Sequence, residues 1–176
     1  MTKEEICAYA EDLAAKYNPL GLSPFPYERI TGDKGDLEIV LAEFDHGISG
    51  AIIFLTTEEK FRIIVNKNKP ATRQNFTIAH EIGHYFLHKD EIKTNDNLLV
   101  DIGENSLDGS NALFRLDAAA TTKIETEANN FAAALIMPTK LVQDAWTTLK
   151  DVEECAKIFN VSISAMSIRL ERLKLI

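Results

Sequence analysis

Hydrophobic positions in residues 2–17 recur every three or four residues, through Ile6, Tyr9, Ala10, Leu13 and Tyr17. That spacing predicts an amphipathic helix, which Asn18-Pro19-Leu20-Gly21 ends. Ser23-Pro24-Phe25-Pro26 reads as a turn-rich connector, with a short helix near residues 27–30. Three strand-like runs follow, at 37–44, 48–55 and 61–66. Asp45-His46-Gly47 and Thr56-Thr57-Glu58-Glu59-Lys60 fit hairpin connections between them. The period then changes. Residues 73–88 are apolar at helical spacing, with Thr72 as an N-cap. Residues 89–122 are polar and rich in Gly, Asn and Asp. Residues 123–137 form a further helix, stopped by Pro138. The pattern predicts an α+β fold: a small antiparallel three-stranded sheet packed against helices.

The helix at 73–88 carries candidate chemistry. It contains His80-Glu81-Ile82-Gly83-His84. Histidines at i and i+4 share one helical face, so both imidazoles can reach one metal ion. Glu81 stands beside them, placed to take a proton from water. This is the zinc-peptidase arrangement, and a strand followed by such a helix begins a zincin-like core.

A catalytic zinc needs a third protein ligand and an open fourth position. A third histidine six residues beyond His84 would need His at 90 and Gly at 87, but the chain has Asp90 and Leu87. Asp96, Asp101 and Asp117 are available in loop-like sequence. A glutamate on the 123–137 helix is the remaining option.

The stretch Phe76 to His84, with Glu125-Thr126-Glu127-Ala128-Asn129-Asn130-Phe131-Ala132 and Met137-Pro138, resembles the ImmA/IrrE family of metallopeptidases. The resemblance covers roughly residues 60–175. It implies Glu127 as the third metal ligand, with Glu125 as the fallback on the same helix. Glu127 shares a face with Phe131 and Ala134, and Glu125 lies about 160° away. The ligand set implied is His80, His84 and Glu127, with zinc as cofactor; such donors also tolerate manganese.

Glu81 is then the general base, passing its proton to the leaving amine. His88, Tyr85 and His46 are candidate oxyanion donors. His88 lies two turns beyond His80 and about 80° around the helix, which favours an outer or packing role. Tyr85 is more often a core aromatic, and His46 reads as a turn residue.

Composition narrows the setting. With 176 residues, 45% of them hydrophobic, the chain can bury one sizeable core. A net charge of −8 and a pI near 5.0 disfavour generic binding to nucleic-acid phosphates. No apolar run approaches a membrane span, and the start lacks the apolar core of a secretory signal. Cys7 and Cys155 read as free thiols in a reducing compartment, so the expected location is the cytoplasm.

The C-terminal stretch reads as helices at 140–149 and 151–159, an Asn160-Val161-Ser162 turn, and a last helix capped by Ser162. This resembles a helix-turn-helix. From 140 to 176 there are six Lys/Arg and five Asp/Glu, too balanced for a strong phosphate-binding face. Packing on the core is the favoured role. The division expected is 1–138 as peptidase domain and 139–176 as a helical region packed on it. The span 89–122 is expected to line or gate the cleft.

Together these readings predict a zinc-dependent endopeptidase. The resemblance implies that its protein substrate is a helix-turn-helix transcriptional repressor, often encoded nearby, whose cleavage relieves repression. The alternative is a non-proteolytic metal-containing module that binds a repressor or antitoxin-like partner.

Overall fold

The computed structural model describes residues 1–44, 47–94, 98–102 and 118–176, the side chains of 98–102 and 118–121 excepted. Helix α1 (Lys3–Tyr17) opens with a capping box. Thr2 Oγ1 accepts from the Glu5 amide at 3.2 Å, and the Glu5 carboxylate accepts from the Thr2 amide at 2.7 Å. Ile6, Ala10, Leu13 and Tyr17 are buried along one side, as their spacing predicts. Helix α2 (Glu28–Lys34) and strands β1 (Leu37–Ala42), β2 (Ile48–Leu55) and β3 (Lys60–Asn66) follow. Then come α3 (Ala71–Leu87), α4 (Lys89–Thr94) and β4 (Leu98–Ile102). The chain finishes with α5 (Ala118–Ile136), α6 (Thr139–Leu149), α7 (Val152–Phe159) and α8 (Ile163–Arg172).

The fold is α+β as expected, but the sheet differs from the antiparallel three-stranded expectation. Among the described residues it has four strands in the order β1-β3-β2-β4. β2 and β3 form a hairpin, whereas β1 pairs with β3 in parallel. β3 therefore stands between β1 and β2, which are not neighbours in the sheet. Burial explains the order. Phe61, Ile63 and Val65 of β3 are fully buried, while Val40 and Leu41 of β1 are exposed. The central strand is thus the more buried and the edge strand the more exposed, although β1 is no less apolar in composition.

The span expected to be loop also carries structure. Ile92 of α4 is fully buried. The run Leu98–Ile102 pairs antiparallel with β2, Ile52 opposite Leu99. Asp101 stands on this strand opposite Gly50. His46, Asp96, Asp117 and most of the span proposed to line or gate the cleft lie outside the described residues.

Helix α3 begins at Ala71, directly after Pro70, not behind Thr72. The Gln74 side chain donates to Lys67 O at 3.2 Å and Lys69 O at 2.7 Å, fixing the turn before the helix. Helix α3 lies across β2 and β3, and α5 packs between α3 and α1. The C-terminal helices join the same core, contributing Val142, Cys155, Met166 and Leu170. Arg169, buried in α8, donates from Nε to Met137 O at 2.9 Å and from Nη2 to Glu11 at 3.0 Å. That guanidinium ties α8 to the end of α5 and to α1.

Candidate metal centre

Two close approaches put α3 where the site needs it. A Cβ on Gly50 of β2 would lie 2.5 Å from Thr77 Cγ2 and 3.0 Å from Ile64 O, so only glycine lets α3 sit this near the sheet. A Cβ on Gly83 would lie 3.2 Å from Ala128 Cα and 3.3 Å from Ala128 O. The glycine and alanine thus form the contact line between α3 and α5. His80, Glu81 and His84 are each no more than 3% exposed.

Three donor atoms converge beside that line. His80 Nε2 and His84 Nε2 are 3.0 Å apart. Glu125 Oε2 is 3.1 Å from His80 Nε2, and Glu125 Oε1 is 3.3 Å from His84 Nε2. Ligands at zinc bond lengths in a tetrahedron stand about 3.3 Å from one another. The triangle has the right size for one ion.

This corrects the expectation for Glu127. Its carboxylate is not in the triangle; Oε2 accepts from His88 Nε2 at 3.0 Å. The face argument assumed that α5 has one buried side. Instead α5 is buried against both α1 and α3. Ala128 marks the line of contact with Gly83, and the two glutamates flank it, about 60° and 100° to opposite sides. The flank holding His80 and His84 receives Glu125.

The hydrogen bonds behind the triangle set the tautomers. Asn129 Oδ1 lies 3.0 Å from His80 Nδ1. A carboxamide oxygen only accepts, so Nδ1 carries the proton and Nε2 presents a lone pair. His88 faces a carboxylate with Nε2, which therefore carries its proton. Its Nδ1 then accepts from His84 Nδ1 at 3.0 Å, leaving the His84 Nε2 lone pair facing inward. With both protons held outside, the three inward atoms are all acceptors. A cation is what such a set lacks, so the residues fit a divalent metal.

The electrostatics agree. Burial pulls the pKa of His84 from 6.5 down to about 4, outweighing the opposing pull of the Glu125 carboxylate. The ring is neutral at pH 7, as a ligand must be. Burial works against the Glu125 charge, but the interactions with His80 and His84 outweigh it and hold the carboxyl well below the usual range.

The other candidates fall elsewhere. The Tyr85 hydroxyl donates to Asp36 Oδ1 at 2.5 Å, and its ring packs edge-on against Phe61. His88 is buried behind His84. Neither is positioned as an oxyanion donor. Asn129 was not foreseen, although its spacing of four from Glu125 is the signal that would have found it.

A His-Glu-x-x-His helix lying on a mixed sheet, its two rings closed off by a carboxylate from a second long helix, defines a metallopeptidase-type centre. The family model described as the IrrE N-terminal-like domain, a peptidase family, matches residues 36–171, and the chain belongs to that family. It is similar to metallopeptidase ImmA of Bacillus subtilis, 31% identical over 105 residues, which cover 58% of this chain and 51% of that protein. It is also similar to the radiation response metalloprotease IrrE of Deinococcus deserti, 36% identical over 107 residues, 58% of this chain and 33% of that one. The matched part is thus about half or less of each relative's length. A solved structure described as a Mycobacterium tuberculosis transcriptional regulator shares the fold, with a TM-score of 0.61 at 16% identity, covering 94% of this chain and 46% of that one.

Proposed function

We propose that the protein is a zinc-dependent endopeptidase that cuts one specific intracellular protein, a helix-turn-helix transcriptional repressor. The observation that carries the reading is the triangle of His80, His84 and Glu125 with Glu81 adjoining it. Those three side chains would hold the metal. A zinc ion there supplies Lewis acidity, lowering the pKa of water to about 7 and polarising the scissile carbonyl.

Glu81 does the proton work. It follows His80 directly on α3 and is 1% exposed. The site where a Cβ would stand on Gly50 is 3.6 Å from Glu81 Oε1, so β2 backs the carboxylate closely. Held there, Glu81 takes a proton from the attacking water and delivers it to the leaving amine. A metal needed only for structure has no use for this base.

Residues 1–138 carry the chemistry in this reading, and 139–176 pack beside it. Among the described residues no helix is long and apolar enough to cross a membrane. The names of the two relatives, both metalloproteases, support the activity. The repressor rests on family resemblance.

The test is Glu81→Gln, assayed with a helix-turn-helix repressor as the candidate substrate. The variant is expected to keep one metal per chain while cleavage falls by roughly 10²- to 10⁴-fold. Undiminished cleavage refutes the base; wild-type protein that binds the repressor without cutting it refutes the peptidase reading.

A further inference from the structure

A groove of about 530 Å³ opens from the metal centre toward the C-terminal helices. Three helical stripes build it. On α5 the stripe is Glu125, Asn129, Ala133 and Met137, four residues apart at each step. On α3 it is His80, Phe76 and Arg73. The third wall is α8, through Ala165, Ile168 and Arg172.

Hydrogen bonds fix the direction of α8. Arg169 reaches Met137 O at 2.9 Å, while Arg172 Nη1 donates to Asn130 Oδ1 at 3.1 Å. The C-terminal end of α8 thus stands at the metal end of α5. Asn130 adjoins Asn129, the partner of His80. Arg172 is therefore the cation nearest the triangle along this wall.

We infer that this groove receives the substrate chain on one side of the scissile bond, taking a bulky apolar side chain first and an acidic one next, with Arg172 recognising the carboxylate. The inference rests on the peptidase reading above. Phe76, Ala133 and Ile168 offer the apolar surface. Among the described residues, three arginines line the groove against one acidic residue, Glu125, which faces the histidines; the chain as a whole is at −8. Arg169 is answered by Glu11. Arg172 is exposed and spends one donor on Asn130, leaving others of its guanidinium fork for a carboxylate. The last helix of the helix-turn-helix pattern thereby acts as a specificity wall of the peptidase.

The experiment uses the zinc-loaded full chain and peptide hydroxamates, in which a chelating group precedes Leu-Glu, Leu-Gln or Leu-Lys with an amidated C-terminus. Acetohydroxamate is the parent. Calorimetry is expected to show Leu-Glu binding at least tenfold tighter than Leu-Lys. Arg172→Glu should reverse that order, and Arg172→Gln, which keeps a polar partner for Asn130, should level it. Thermal unfolding verifies that both variants fold. Equal affinity across the three peptides, or an order unchanged in Arg172→Gln, overturns the inference while parent binding leaves the metal centre standing. No binding even of the parent removes the peptidase reading beneath it, and the inference falls with it.

Discussion

His88 donates from Nε2 to Glu127 Oε2 at 3.0 Å, and through that bond a glutamate outside the triangle decides which nitrogen of His84 carries its proton. Outer partners of this kind typically change metal affinity 10- to 100-fold. We expect His88→Ala and Glu127→Ala to weaken zinc binding by about that much while still taking up one ion per chain at saturation. Competition against a chromogenic chelator measures it. Unchanged affinity in both variants would show that the relay does not orient His84.

The two glutamates of α5 separate cleanly in a metal assay. Glu125→Ala removes one side of the triangle and should leave the purified protein without stoichiometric zinc by mass spectrometry. Glu127→Ala should retain it. The opposite pattern would return the third ligand to Glu127.

Acid should destabilise the metal-free protein. His84 holds its pKa near 4 in the fold against 6.5 ordinarily. Between those values the unfolded chain binds a proton that the native ring refuses, so stability falls as pH drops from about 6.5 toward 4. Glu125 extends the loss further down. Its folded pKa is depressed, so below about 4.5 the unfolded carboxylate protonates first. Melting temperatures of the apo-protein at pH 7.5, 6, 5 and 4 should decline in order; a flat profile from 6.5 to 4.5 would contradict the neutral buried His84.

Gly50→Ala tests the seating of α3 on the sheet. The new methyl would overlap Thr77 Cγ2 at 2.5 Å and press on the Ile64 carbonyl. Overpacking of this sort costs about 1–3 kcal/mol. Denaturant unfolding should show that loss, with zinc affinity reduced as well because His80 and Glu81 ride on the same helix. A variant as stable as wild type would show that α3 can shift outward freely.

Local patterns made much of this protein legible. Helix α1, the His-Glu-x-x-His helix, the stop at Pro138 and the Ser162 cap depend on residues a few positions apart, and each stands close to where its spacing put it. Ser162 Oγ, for example, accepts from the Ala165 amide at 3.1 Å. The pair His80 and His84 needed only the pitch of a helix to become neighbours.

Sheet order and the third corner of the triangle were not legible in that way. Whether β1 joins β2 or β3 depends on which strand can afford solvent, a comparison among segments that are distant in sequence. The strand at Leu98–Ile102 stands among polar neighbours and gained its partner only through β2. Glu125 and Glu127 sit two residues apart on one helix, and nothing local ranks them. Their roles follow from where Ala128 meets Gly83, because that contact sets the rotation of α5 against α3. The sequence by itself determined the chemistry the protein can attempt, since donor types and helical spacing are local properties. Tertiary packing decided which carboxylate stands beside the two histidines and which helix walls the groove, since both depend on how close two backbones can come.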